Sequence, residues 1–332
     1  MAEWLHEAGI GEQRAALVEK GRIVEMHVDP DDGRLRVGAI CAARLVRAAE
    51  AGGRARVALP GGEADLVAVP RGLSLGAALA VEVIREALPE RGAVKLPRVR
   101  VAAQDAVVGA GPDLLARIAA SGLPLRRRDT PGEDVFEAHG WSERLEEAAS
   151  GIVAHDDALL RISLTPAMTL IDVDGAGPLA ALAIAGARRA GEAIRCFGIA
   201  GSIGIDLPTL PDRAERQATA AALDAILPQP FERTAVNGFG FLQIIRRRER
   251  RSLLELIAAD PALAAARALL RRAERARGAG AVALAAHPAV IANLESRPEW
   301  IGALARRIGA DVRLQAEPGL PMSGAHAQRT YV

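Results

Sequence analysis

Residues 167–206 read AMTLIDVDGAGPLAALAIAGARRAGEAIRCFGIAGSIGID, and their pattern decides the fold class. Two short apolar runs, each interrupted near its end by aspartate, flank a helix-length segment from Gly177 to Phe197. Side chains alternate along a strand, so Leu170, Asp172 and Asp174 share one face while Thr169, Ile171 and Val173 take the other. The Ala-rich segment between the runs is long enough to cross over between parallel strands. Such a crossover sets both strand ends, and with them Asp172 and Asp206, at the same edge of one sheet. That edge is where open α/β sheets bind ligands.

Carboxylates brought this close need something between them. Two unit charges about 4 Å apart repel by roughly 4 kcal/mol at an effective dielectric of about 20. Either one takes up a proton or a cation sits in the gap. Magnesium accepts one or two carboxylates together with waters and phosphate oxygens, which is what two strand-end aspartates can offer. The same spacing also has a purely structural reading, in which Asp172 caps the following helix and Asp206 starts a turn before Pro208.

At 332 residues the chain is long for one compact core, and two or three packed units are expected. Half of the residues are hydrophobic but only 3% are aromatic, so the interior must be built from Ala, Val, Leu and Ile. A net charge of +1 excludes a polybasic protein overall and leaves room for local patches. Cys41 and Cys196 lie far apart without a Cys or His partner at ligand spacing, so no disulfide framework or zinc site is readable. The N-terminus has no basic segment followed by an apolar core, and no later run is long and uncharged enough for a bilayer. A cytoplasmic protein without membrane contact is the expectation.

Residues 14–28 read as a hairpin turning at Lys20 and Gly21. From Gly38 to Arg98, short apolar runs broken by Gly and Pro suggest a small barrel. A helix is expected from about Pro112 to Ser121, a basic turn at Arg126–Arg128 and a helix around Ser142 to Ser150. From Gly151 longer strands alternate with Ala-rich helices, the α/β signature. A helix over 211–226 follows, then the strand FERTAVNGFGFLQIIRR and a basic run with Arg246, Arg247, Arg248, Arg250 and Arg251. Residues 260–277 read as a basic helix. The tail reads as strand AVALAA, one helix over PAVIANLESRPEWIGALARRIG and strand DVRLQAE, a βαβ piece that could stand as a small domain. No solenoid-type repeat occurs.

These segments together resemble the ribonuclease E/G family of bacterial endoribonucleases, from Ala15 to about Ser252 with a weaker continuation into the tail. The carriers are RAALVEKGRIVEMHV, GAALAVEVIREALPERGAVKLPRVR, TPAMTLIDVDG, IAGSIGIDLPTL and NGFGFLQIIRRRERRSL. The resemblance implies an α/β protein, α+β overall. It places a ribonuclease-H-like N-terminal region over 1–32 and 100–150, with a reduced OB-fold RNA-binding barrel over 33–99. A deoxyribonuclease-like catalytic α/β domain falls on 151–257 and a small C-terminal domain on 278–332. The family's catalytic aspartates fall on Asp172 and Asp206, which implies a magnesium ion there, or manganese in its place, activating water for attack on an RNA phosphodiester. The third ligand position, usually Asn, is Asp174, which keeps an oxygen ligand and adds negative charge. The function implied is cleavage of single-stranded RNA in RNA processing, rRNA processing or decay.

Three departures from the family pattern carry information. No Phe, Tyr or Trp occurs between Trp4 and Phe136, and Val57 and Leu66 stand about where the family's base-stacking aromatics would lie. A stacking contribution of roughly 1–3 kcal/mol per base is therefore missing from the barrel. The segment carrying the family's 5′-monophosphate-sensing Arg-Thr pair is largely absent. Arg126–Arg128 before Asp129 and Thr130 reads as a substitute or as a basic surface turn, and little dependence on 5′ phosphorylation is expected. Where the family's Cys-Pro-x-Cys zinc link is expected, this chain has LLELIAADPALAAARALL, so no zinc is expected and any homo-oligomer is not zinc-linked.

In the family the basic residues after NGFGFLQII run along the RNA channel, and Arg246 and Arg248 match those positions. Phosphate contacts of this kind supply affinity without sequence choice. Phe239 and Phe241 flank Gly240 and read either as base-stacking groups or as core. His155, beside Asp156 and Asp157, reads as part of a turn. A rival function keeps the fold as an RNA-binding protein with little or no nuclease activity. A sugar-phosphate or nucleotide enzyme is a more distant rival, without a glycine-rich phosphate loop of standard spacing to support it.

Overall fold

A computed structural model of the chain describes residues 2–48, 54–90, 93–128, 134–276 and 278–330. It is a mixed α/β protein. The chain opens as a meander of β1 (Ala2–Ala8), β2 (Glu12–Glu19) and β3 (Arg22–Pro30). Its β2–β3 turn is the expected Lys20-Gly21 pair, at φ 50° and 78°, as a two-residue hairpin loop with both central residues left-handed requires. Then come β4 (Ile40–Arg47), β5 (Ala55–Leu59), β6 (Gly62–Leu66), β7 (Ala78–Arg85), the small hairpin β8 (Leu88–Glu90) and β9 (Ala93–Lys95), and β10 (Arg98–Val101). Helix α1 (Leu114–Ala119), β11 (Leu125–Arg128) and α2 (Trp141–Ser150) follow. The α/β stretch runs β12 (Ile152–Ala154), β13 (Leu159–Leu164), β14 (Thr169–Asp174), α3 (Leu179–Cys196), β15 (Gly201–Asp206), α4 (Arg213–Asp224), β16 (Glu232–Arg233) and β17 (Phe241–Arg246). The tail comprises α5 (Leu253–Ala259), α6 (Pro261–Ala273), β18 (Ala281–Ala286), α7 (Pro288–Glu295), α8 (Pro298–Ile308), β19 (Val312–Ala316) and β20 (His326–Thr330).

The chain divides into two compact units, one of residues 33–120 with 154–252, the other of residues 1–32, 121–153 and 253–332. The first holds a closed five-stranded barrel in the order β10-β6-β5-β4-β7, where β10 runs parallel to β6 and antiparallel to β7. Alternate residues of β5 point inward, and the interior is filled by small and branched aliphatics such as Ala43, Leu45, Val57, Leu66, Val81 and Val99. Val57 and Leu66 are fully buried, so these positions are core and offer bases no surface, whatever residue occupies them.

The same unit carries a six-stranded sheet in the order β12-β13-β14-β15-β17-β16. β14, α3 and β15 form the crossover expected from the sequence, with β14 and β15 parallel. Ile171, Val173, Ile203, Ile205, Leu242 and Ile244 bury one face of this sheet. Helix α3 packs closely on that face because Gly186 has no side chain: a Cβ there would fall 2.3 Å from Val173 Cγ1. α4, capped by Asp212 through the amides of Ala214 and Glu215, packs in turn on α3, and Gly191 admits Leu223 and Ile226.

The second unit contains the sheet β11-β1-β2-β3 and the sheet β19-β18-β20. Residues Arg126–Arg128, expected as a basic turn, instead form a strand parallel to β1, and Asp129 and Thr130 lie outside the described residues. The single tail helix expected over 288–309 divides into α7 and α8, because a residue before proline is pushed out of the helical region and Arg297 precedes Pro298. Leu269 and Leu270 of α6, Val282, Leu284, Ile291, Leu294 and Ile10 share one core. The tail therefore shares its interior with α6 and the N-terminal meander. Among the described residues no helix is long and apolar enough to cross a membrane.

Candidate acid-pair site

The register between β14 and β15 pairs Ile171 with Ile205 and Asp172 with Asp206. Adjacent strands lie about 4.8 Å apart and paired residues point the same way, so the two carboxylates leave the sheet side by side. They stand on the face opposite α3, with Asp172 half-exposed and Asp206 exposed. Helix α3 starts after Pro178 without a side-chain cap, so Asp172 does no capping.

β13 adds a residue that sequence reasoning missed. It runs antiparallel to β14 with Arg161 opposite Asp172. The Arg161 guanidinium is in ion-pair contact with Asp174 and 4.0 Å from Asp172. The alternation of LLRISL would have put Arg161 on one face with Leu159 and Ser163, but the antiparallel register that aims it at the acids is not readable locally. Asp174, expected as a third ligand, is thus engaged by arginine. Among the described residues no group of three or more His, Cys, Asp or Glu side chains is arranged to hold a metal ion. The donor set at the site is two hard carboxylate oxygen groups, which fits a cation that fills its remaining positions with water and phosphate oxygens, as magnesium does.

Aromatic groups border the acids. Phe241, paired with Asp206 on β17, lays its ring over Gly204, where a Cβ would meet Phe241 Cζ at 2.5 Å and Met168 Sδ at 3.0 Å. The turn before it is shaped by Asn237, whose Oδ1 accepts the amides of Phe239 (2.9 Å) and Phe241 (3.0 Å). Gly240, at φ 90°, comes so near the main chain after β15 that a Cβ would lie 2.1 Å from the Leu207 carbonyl oxygen. Phe239 at the tip is 84% exposed. Neither phenylalanine is core, one being laid on the sheet and the other presented to solvent.

The basic run lies at the other end of the strands. Arg246 pairs with Gly201 while Phe241 pairs with Asp206, and five residues of strand span roughly 17 Å. Arg246 Nη1 donates to the Ile199 carbonyl at 2.8 Å, and Arg248 packs against Gly201. Arg247 and Arg250 pair with Glu249, and Arg250 also with Glu86 on the barrel side. A second basic group was not anticipated. Arg98 sits opposite Arg85 across β10 and β7, and burial, then Arg98, Arg54 and Arg248, hold the Arg85 pKa down to about 10 against the pull of Asp65.

His155 closes a short turn through its amide and the Ala158 carbonyl at 3.0 Å, as expected. Cys41 and Cys196 are free and buried. A cavity of about 450 Å³ belongs to the other unit, lined by Trp141, Leu145, Ile257 and Ala265 among others. No family model and no curated protein matches the chain.

Proposed function

We propose that this protein is a metal-dependent endoribonuclease acting on single-stranded RNA, with Asp172 and Asp206 as its catalytic carboxylates. The observation that carries the reading is the register pairing Asp172 with Asp206 on parallel strands, solvent-facing and bordered by aromatics. A pure RNA binder has no use for paired carboxylates that repel phosphate. Asp172 and Asp206 are the residues that would hold magnesium, which when bound would supply Lewis-acid stabilisation of phosphoryl charge and a water of lowered pKa. The carboxylates would orient the incoming water and accept its proton as its oxygen bonds to phosphorus; the bond to one nucleotide's oxygen breaks, and that oxygen takes up the proton so released.

The remaining features support a single-stranded substrate. Phe239 is free to stack an unpaired base, and Phe241 offers a fixed ring beside Asp206. Arg246 and Arg248, at the far end of the same strands, stand a few nucleotides from the acids along an extended strand and suit backbone phosphates. The barrel order, with its third strand (β6) parallel to its fifth (β10) and its first (β4) antiparallel to its fourth (β7), supports the reading of an OB-type barrel, in which the aliphatic interior would leave binding to charge on its surface.

The test is cleavage of an unstructured AU-rich RNA with and without magnesium, with the Asp172→Asn/Asp206→Asn double variant as control. Magnesium-dependent cutting that the variant lacks is the expected result. RNA binding without cutting in the wild-type chain would instead identify a binding protein on the same fold.

A further inference from the structure

We infer that Arg161 is the built-in counter-ion of the acid site, committing Asp174 to itself and leaving Asp172 and Asp206 to hold one divalent cation. This rests on the functional reading above. Three carboxylates converge on one sheet face, Asp172 and Asp174 two residues apart on β14 and Asp206 opposite Asp172 on β15. The strand on the other side of β14 delivers a single arginine to the same place, directly across from Asp172. Its guanidinium is bound to Asp174 and stands 4.0 Å from Asp172. Arginine keeps its charge at any working pH, so the Arg161–Asp174 pair is neutral as a unit. What remains is a charge of minus two on Asp172 and Asp206, which matches one divalent ion.

The placement gives each partner a distinct task. Arg161 keeps Asp174 from acting as a third anionic ligand, which would bind the cation more tightly and repel RNA phosphate. Asp174 keeps Arg161 from closing the short gap to Asp172, where it would compete with the cation as a tethered positive charge. Arg161 and Asp174 are therefore positioning residues, acting on the cation through charge. Both side chains are about half-exposed, so their replacement leaves the buried face of the sheet untouched.

The experiment is titration of the full chain with Mn²⁺, reading free ion by electron paramagnetic resonance, with thermal unfolding of each variant alongside. The wild-type chain is expected to bind one Mn²⁺ in a manner lost in Asp206→Asn. Arg161→Gln should tighten binding by about tenfold, because it releases a third carboxylate at a half-solvated site. Asp174→Asn should weaken it by about tenfold, because Arg161 then turns to Asp172. The Arg161→Gln/Asp174→Asn double variant should return to within about threefold of wild type, since the residual charge is again minus two, and Arg161→Lys should stay near wild type. Unchanged or weaker binding in Arg161→Gln, or a double variant about tenfold below wild type, overturns the assignment and makes Asp174 a direct ligand or a bystander. A wild-type chain that binds no Mn²⁺ sensitive to Asp206→Asn removes the metal reading itself, and the Arg161 role with it.

Discussion

Phe239 and Phe241 are two residues apart yet pose opposite physical problems. An 84%-exposed phenylalanine buries little on folding, so Phe239→Ala should leave the unfolding temperature unchanged. If the ring stacks an unpaired base, the same change should weaken binding of a short single-stranded RNA by roughly 1–3 kcal/mol, read by fluorescence anisotropy in the non-cleaving Asp172→Asn/Asp206→Asn background. Phe241 is seated on Gly204, so its truncation should reduce both stability and RNA affinity. Equal RNA affinity in wild type and Phe239→Ala would remove the exposed ring from the binding surface. Legibility at this scale followed the range of the forces involved. The shared face of Asp172 and Asp174 was readable because alternation is local. The role of Arg161 was hidden because it depends on how two strands align, and the choice between stacking group and core for the two phenylalanines needed the close approach at Gly240.

The β14–α3–β15 crossover positions the acid pair through its parallel register, and α3 lies tightly on the opposite face of the sheet. Gly186 sits at that contact, and any side chain there must displace Val173, whose neighbours in the strand are the two acids Asp172 and Asp174. Gly186→Val is therefore expected to cost about 1–3 kcal/mol in urea unfolding and, if the acid pair cleaves RNA as proposed, to lower cleavage beyond what the stability loss explains, by tilting β14 against β15. A variant with wild-type stability would mean that helix and strand have slack at this point. The crossover was legible because its length and apolar runs left one topology open. β10 and β20 were not, being short strands: RVRV has no side-chain signal beyond a two-residue alternation, and both are held by partners distant in sequence. The division of the tail helix was readable in principle from Pro298, and the strand at Arg126–Arg128 was masked by its charge, since only pairing with β1 makes an edge strand of it.

One unit of the molecule is assembled from three separate stretches, 1–32, 121–153 and 253–332, and a buried ionic network contributes a residue from each. Arg271, 3% exposed, reaches Glu7 at 3.6 Å and Asp134 at 2.6 Å, and Arg275 contacts Glu7 and lies 2.8 Å from Asp134. Arg14, also buried, binds Glu7 at 2.7 Å and Glu12 at 2.5 Å. Removing one partner from such a network strands the others in a poorly solvated place, a larger loss than the pair's net worth. Asp134 is the member whose protonation is informative. Burial favours its neutral form, but Arg271 and Arg275, with the Glu137 amide, outweigh that and hold its carboxyl below the usual carboxylate range. A depressed folded-state pKa means the contribution is complete above the unfolded value of about 3.9 and is lost as pH falls through the folded one. At neutral pH Asp134→Asn should lower the stability of this unit by roughly 1.5–3 kcal/mol, as for a hydrogen bond to a charged group. The gap between variant and wild type should stay constant from pH 7 down to about 5 and close below about pH 4, in urea titrations followed by Trp fluorescence, because Trp141 lies in the same unit. A gap that persists undiminished at pH 3 would mean that shape and hydrogen bonding at Asp134, not its charge, join the three stretches.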